Sequence, residues 1–328
     1  MPSLGISLLK LYLPLMGWVF LGLALGQRLP PATMGILGKF LFWIGVPISI
    51  VAFLRRASLS GPIWIAPVTA WAAIFLGAGL AWLWLQHQPQ ALALSKPDLS
   101  KPDLGKPDLN EPNPSKPTRG SFILAAMVGN TGYLGYPVTL TLVGSKYFAW
   151  ALFYDLLGTT IGAYGLGVVM AARYGMGVQP YGWLAQALGK NPALWSLGLG
   201  LTFRAVPLPP LLEQSLQIAA WSNVALSLIL IGMRLSQLSS WRSLRLASIS
   251  LGIKMLVVPF LLGLGLWLVG VQGPAQLVIV LQMAMPPAFA TLVIAEAYDL
   301  DRDLAVTALA VGSTGLLFTL PIWLWLFQ

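Results

Sequence analysis

Two short runs in this sequence carry residue types suited to holding an ion without making or breaking a bond. Gly129-Asn130-Thr131-Gly132-Tyr133-Leu134-Gly135-Tyr136-Pro137 sets an amide and a hydroxyl among three glycines and a proline, and Met285-Pro286-Pro287-Ala288 sets two prolines side by side. Both lie in the middle of apolar stretches, 120–143 and 275–298. Proline lacks a backbone donor and its ring clashes with the carbonyl four residues back, so each run should interrupt a helix. In hydrocarbon a freed amide or carbonyl costs several kcal/mol unless protein or water satisfies it. Such breaks persist where they line a cavity or meet another buried segment. The second half of a broken helix also presents unpaired N–H groups and about half a positive charge at mid-membrane, a seat for an anion that needs no arginine.

The side chains at these breaks are the first candidates for substrate contact. Asn130 and Thr131 can reach a carboxylate or a held water, or satisfy the backbone that the break frees. Gly129, Gly132 and Gly135 offer no side chain and serve close backbone crossing; Pro137, Met285, Pro286, Pro287 and Ala288 complete the two runs. Asp155, about a third of the way into the stretch 147–172, is the most interior acid. Charge inside a membrane is costly and signals function, here proton or sodium coupling, with pairing to Lys254 as the structural alternative. Gln282, Asn223 and Thr291 are explained by hydrogen bonds between helices; Gln282 is also a coupling candidate, and Ser222 with Asn223 forms a second rank of site candidates. Glu296, close to Asp299, Asp301 and Asp303, reads as a solvated helix end.

Other chemistry is excluded by residue type. The chain has no cysteine and one histidine, His87, at the polar end of an apolar stretch. Disulfides, thiolate catalysis, Fe–S clusters, Cys/His zinc sites and histidine-ligated haem all fall away, and no cofactor is expected. No Gly-x-x-x-x-Gly-Lys-Ser/Thr run occurs, so any transport is driven by gradients rather than ATP. The net charge of +9 is scattered and does not form a nucleic-acid platform.

The elements that must position these residues follow from composition. Apolar residues make up 57% and charged residues 9% of the 328, with a mean hydropathy of +0.78. Soluble domains carry about 25% charged residues, so the chain is an all-α polytopic membrane protein. Ten apolar stretches are read as spans: 5–26, 33–54, 62–86, 120–143, 147–172, 184–203, 210–233, 244–269, 275–298 and 304–327. The first is a span and not a signal peptide, since it lacks a basic leader and its apolar run is too long. The 14 tryptophans, among them Trp82, Trp84, Trp323 and Trp325, read as interfacial anchors. With the N-terminus outside, 13 Lys and Arg fall inside and 5 outside, leaving Lys254 within a span. The positive-inside rule then puts both termini outside.

The broken spans are the fourth and the ninth, five apart, so the chain divides into two halves of five spans. Because five is odd, the second half enters the membrane from the other side, which is the arithmetic of an inverted-topology repeat with discontinuous helices meeting at the substrate site. The first repeat covers 1–86 (spans one to three) and 120–172 (spans four and five), and the second covers 173–328. Between spans three and four, 87–119 is a linker in which Lys-Pro-Asp-Leu recurs every five residues, with proline too frequent for a helix.

On these residues the sequence resembles the auxin efflux carrier family, which includes plant auxin exporters and bacterial permeases of small carboxylates. The resemblance rests on Gly129–Pro137 and Met285–Ala288, the latter leading to Ala295-Glu296-Ala297-Tyr298-Asp299. Asn191-Pro192, Ile231-Gly232-Met233-Arg234-Leu235, Ser313-Thr314 and Pro321 support it. It implies a ten-helix inverted-repeat carrier with a scaffold domain and a crossover domain in which spans four and nine cross. This sequence departs from the family in having Trp221-Ser222-Asn223-Val224-Ala225 where span seven commonly has a proline. It also lacks the ionisable pair of the plant exporters in span three.

The leading expectation is a secondary carrier of small organic anions working by alternating access in a prokaryotic inner membrane. Its partners are the anion, membrane lipid, and a proton or sodium, with a homodimer left open and no nucleic acid. A sodium-coupled symporter of the bile-acid transporter type, with Gln282 among the sodium ligands, is the alternative carrier. A non-transporting receptor or scaffold is the alternative from another class. An intramembrane enzyme would need a metal-binding pair or a nucleophile with a base, and neither is present.

Overall fold

The computed structural model describes residues 4–87, 114–175, 189, 192–236 and 243–328, with side chains at these except 4–12, 14–16, 31, 234 and 235. Among the described residues the chain is helical throughout. The helices are α1 (Leu4–Arg28), α2 (Ala32–Arg56), α3 (Ile65–Gln86), α4 (Lys116–Met127), α5 (Tyr136–Leu142), α6 (Ser145–Tyr174), α7 (Pro192–Phe203), α8 (Pro210–Leu235), α9 (Leu244–Leu268), α10 (Pro274–Met283), α11 (Phe289–Ala297) and α12 (Arg302–Phe327). Six of them, α2, α3, α6, α8, α9 and α12, are long and apolar enough to cross a membrane as single helices. The expected sixth span is described from Pro192 onward, and 88–113 of the repetitive linker lie outside the described residues.

The linker gives way to helix earlier than residue 120. Ser115 caps α4 by accepting from the Thr118 N–H at 3.4 Å, and Pro117 sits in the first turn, where its missing donor costs nothing. At the other end of the chain Asp301 caps α12, accepting from the Leu304 N–H at 2.9 Å. The same carboxylate accepts the Thr118 hydroxyl at 2.9 Å, and Ser121 donates to the Asp301 carbonyl at 2.7 Å. One acidic cap thus ties the start of α12 to the start of α4.

Four π-turns interrupt the long helices: Leu41–Gly45 in α2, Tyr154–Thr160 and Ala163–Gly167 in α6, and Ile253–Val257 in α9. A π-turn rotates a side chain out of the regular register and is frequent at functional sites. Asp155 and Lys254, the two buried charges among the described residues, each lie on one. A third frees the Gly45 carbonyl to accept from Asn223 Nδ2 at 3.0 Å, fastening α2 to α8.

Two buried clusters wrap the broken helices α4, α5 and α10, whereas outward side chains such as Phe318, Leu268 and Trp325 are large, apolar and exposed. That is the pattern expected of a surface facing lipid. The tryptophans divide. Trp82 and Trp325 are exposed, but Trp323 is only 2% exposed and stacks on Phe327, while Trp84 stacks on Phe122 at 4.9 Å between centroids. The expectation that Trp323 anchors the interface is corrected: it lies on the inward face of α12, among core side chains.

Candidate substrate site at the crossing of two broken helices

α4 stops at Met127 and α10 at Met283, and the chain that follows each is non-helical for a few residues. These two segments cross antiparallel, with Gly129 opposite Pro287. The Asn130 N–H donates to the Pro286 carbonyl at 2.7 Å, and the Ala288 N–H donates to the Val128 carbonyl at 3.0 Å. Each break therefore satisfies backbone groups of the other, which answers the demand that hydrocarbon makes on a freed amide. The Asn130 carbonyl then accepts from the Leu134 and Gly135 N–H groups at 3.2 and 3.0 Å, so the chain winds back into the π-turn Thr131–Gly135 that leads to α5.

The three glycines of the first run each admit one polar side chain from another helix. A Cβ on Gly129 would stand 3.1 Å from the Lys254 ammonium, and one on Gly132 would stand 3.2 Å from an Asp155 carboxylate oxygen. One on Gly135 would collide with the Gln282 amide. The glycines are thus needed for close approach of a cation, an anion and an amide.

Asp155 is buried and accepts two hydroxyls, Thr131 Oγ1 to Oδ1 at 2.5 Å and Tyr136 Oη to Oδ2 at 2.6 Å. Lys254 is also buried, and its ammonium donates to the Met283 carbonyl at 2.6 Å, at the C-terminus of α10. The two charges do not pair with each other. They hold opposite sides of the crossing, the carboxylate by the start of the second half of one broken helix, the ammonium by the end of the first half of the other.

A cavity of about 440 Å³ opens on this crossing. Gly129, Asn130, Thr131, Gly132, Asp155 and Ala288 all line it, together with the first turn of α11. The Asn130 side chain is 8% exposed, makes no cap bond and has no hydrogen-bond partner among the described residues. Its amide therefore opens on the cavity with its hydrogen-bonding groups free for a ligand or water.

The remaining candidates lie elsewhere. Met285, Pro286 and Pro287 shape the crossing without lining the cavity, and Pro137 lies on the far side of the π-turn, towards Asn223. Gln282 is fully buried against α5, donating to Thr139 Oγ1 at 3.2 Å, with Oε1 unpartnered. Asn223 is engaged with the Gly45 carbonyl, and Ser222 is exposed and donates to the Ile218 carbonyl of its own turn. Thr291 likewise donates within its own helix, to the Ala288 carbonyl. Glu296 pairs with Arg302 at 2.9 Å on the surface, and His87 meets the Leu83 carbonyl at 2.9 Å in its own last turn.

Several cavity residues were not singled out by sequence. Lys39 lines the cavity from α2, exposed, and is its one ammonium among the described lining residues; Tyr133, Tyr136, Thr159, Thr160 and Tyr164 add hydroxyls. Lys39 carried a signal, a cation inside an apolar stretch, and Tyr133 and Tyr136 belong to the glycine run itself.

Known proteins resemble this chain along most of its length. Residues 181–324 match the family described as membrane transport protein, a match that includes Met285–Ala288 and stops short of the first glycine run. An uncharacterized transporter of Methanothermobacter thermautotrophicus is 28% identical over 294 residues, covering 88% of this chain and 87% of that one. An uncharacterized transporter of Methanocaldococcus jannaschii is 29% identical over 212 residues, 63% of this chain and 68% of its own.

Proposed function

We propose that this chain, which resembles transporters along most of its length, is a membrane transporter of the auxin efflux carrier family and moves small organic anions, carboxylates foremost, by alternating access. The observation that carries this reading is the Asn130 amide, which opens without a protein partner on a cavity of about 440 Å³ beside the N-terminus of α11. An amide N–H and a helix N-terminus both donate to a carboxylate, and the end of a helix dipole favours negative charge. Lys39 at the exposed edge of the same cavity adds an attractive field for an arriving anion.

Asp155 shares that cavity, so an incoming carboxylate meets a carboxylate already there. Two like charges in one low-dielectric space repel strongly, and protonation of Asp155 removes the repulsion. A protonated carboxyl donates from one oxygen, so the hydroxyl of Thr131 or Tyr136 on that oxygen must turn to accept or let go. Proton and anion are therefore carried together, and the hydroxyl pair passes the protonation state to the broken helix. Lys39, Tyr133, Tyr136 and Tyr164 are the other titratable groups lining the cavity.

The architecture belongs to the same proposal. Ten spans form a 5+5 inverted repeat, the first repeat running through 1–86 and 120–172 and the second through 173–328. Both termini lie outside a prokaryotic inner membrane. The reciprocal pairing of Gly129 with Pro287 supports the two-half reading, because corresponding breaks in two inverted halves meet at their symmetry axis.

The test is uptake of small carboxylates into vesicles reconstituted with the purified protein. Wild type should transport, and Asn130→Ala should reduce the rate at least about tenfold while remaining folded, since a hydrogen bond to a charged group is worth about 1.5–3 kcal/mol and about 1.4 kcal/mol is tenfold. No flux of any carboxylate by the wild type would leave the scaffold reading standing.

A further inference from the structure

Lys254 is a charged side chain for which the anion pathway has no use: it does not line the cavity, yet it is 2% exposed in the middle of α9. Its sequence neighbours explain its position only in part, since a π-turn at Ile253–Val257 turns it inward. What it turns toward is specific. The ammonium donates to the Met283 carbonyl at 2.6 Å, one of the last carbonyls of α10, and it stands against Gly129 just past the end of α4. The C-terminal ends of both first halves of the broken helices thus converge on one positive charge. Each such end carries about half a negative charge and carbonyls with no partner in their own helix.

Carriers built on discontinuous helices commonly meet this negative potential with a bound cation, coordinated by unwound backbone carbonyls and half-helix C-termini. An ammonium is a compact point charge with three donors and is chemically close to a small hydrated cation. Gly129 has no side chain in the way, and Cβ on any other residue would press on Nζ and Cε.

We propose that the Lys254 ammonium is the resident cation of the crossover, occupying with a covalently attached charge the place where a sodium ion would otherwise sit, so that this carrier needs no sodium. Lys254 is a positioning residue: it acts by holding the ends of α4 and α10 together, and it does not touch the transported anion. Removing the charge uncovers a site of carbonyl oxygens with negative potential, and a small monovalent cation from solution then fills it.

The inference rests on the carrier reading for its uptake arm alone; its melting arm needs no substrate. Purified wild type in detergent should melt at the same temperature in sodium chloride and in choline chloride of equal ionic strength. Lys254→Met should melt lower in choline, and its melting temperature should climb with sodium or lithium concentration, since a ligand that binds only the folded state stabilises it by mass action. In vesicles, wild-type uptake should be the same in both salts. Lys254→Met should lose about tenfold in choline and recover in sodium, within the range usual for coupling between two sites. A merely structural lysine would leave Lys254→Met destabilised equally in both salts, and that result overturns the proposal. So does a wild type whose melting or uptake rises with sodium. Recovery of folded Lys254→Met in sodium but not in choline supports the proposal, and failure to recover it in either salt overturns it. Absent uptake by all forms, with the cation-dependent melting intact, would sink the carrier reading and leave this one standing.

Discussion

The two buried charges among the described residues, Asp155 and Lys254, lie at one crossing and are used in opposite ways. Asp155 faces a cavity, shares it with Asn130, and holds two hydroxyls that can let go. Lys254 does not line that cavity and holds a backbone carbonyl at a helix end. Each has a glycine in front of it, Gly132 for the acid and Gly129 for the base. The difference is one of access. A charge that an ion or substrate can reach can change its protonation during a cycle, whereas a charge sealed against a helix terminus has a constant partner and so serves as a fixed part of the structure.

The strongest way to break this comparison is to remove the crossing itself. Replacing both prolines, Pro286→Ala with Pro287→Ala, should let α10 and α11 join, withdraw the N-terminus of α11 from the cavity and abolish carboxylate uptake; normal uptake would mean that the site lies elsewhere. The next largest effect belongs to the acid. Asp155→Asn should remove the stimulation of uptake by a pH gradient while carboxylate binding, read by thermal shift, survives. An unchanged gradient dependence would take Asp155 out of the coupling.

The glycines sharpen the comparison further. Gly129→Ala and Gly132→Ala each add a methyl group in tight contact with a charged side chain, and overpacking of this kind costs about 1–3 kcal/mol. Gly132→Ala should change the pH profile of uptake, whereas Gly129→Ala should lower the melting temperature and leave the profile in place. If the two variants behave alike, the poles are not functionally distinct. Asn223→Ala supplies the outer reference. It loses the bond to the Gly45 carbonyl, a cost of about 1 kcal/mol in stability, and should leave both the pH profile and carboxylate affinity unchanged. The smallest effect should be at Glu296→Gln, since its pair with Arg302 is exposed and such pairs contribute at most about 1 kcal/mol.

Much of this was decided by local sequence. Proline and glycine act on their own backbone, so the breaks after Met127 and Met283 are written where they occur. Apolar runs declare helices that face lipid, and an acid or a lysine within such a run declares that something polar must meet it. The family resemblance likewise rests on residues contiguous in the chain. What the sequence could not supply is the identity of partners far along the chain. By charge alone Lys254 is a partner for Asp155, yet the two hold different helix ends, because which face of α9 and α6 turns inward depends on π-turns that no apolar count reveals. Ser222 and Asn223 are adjacent in sequence and differ by about 100° around α8, so one lies exposed while the other fastens α2. Trp323 resembled its neighbour Trp325 as an anchor until packing put one inside and one outside. Composition and local propensity fix the elements and where they fail, since those forces act within a few residues. The pairing of charge with glycine and of break with break was settled only by tertiary packing, since contacts between groups on different helices depend on how whole helices rotate against one another.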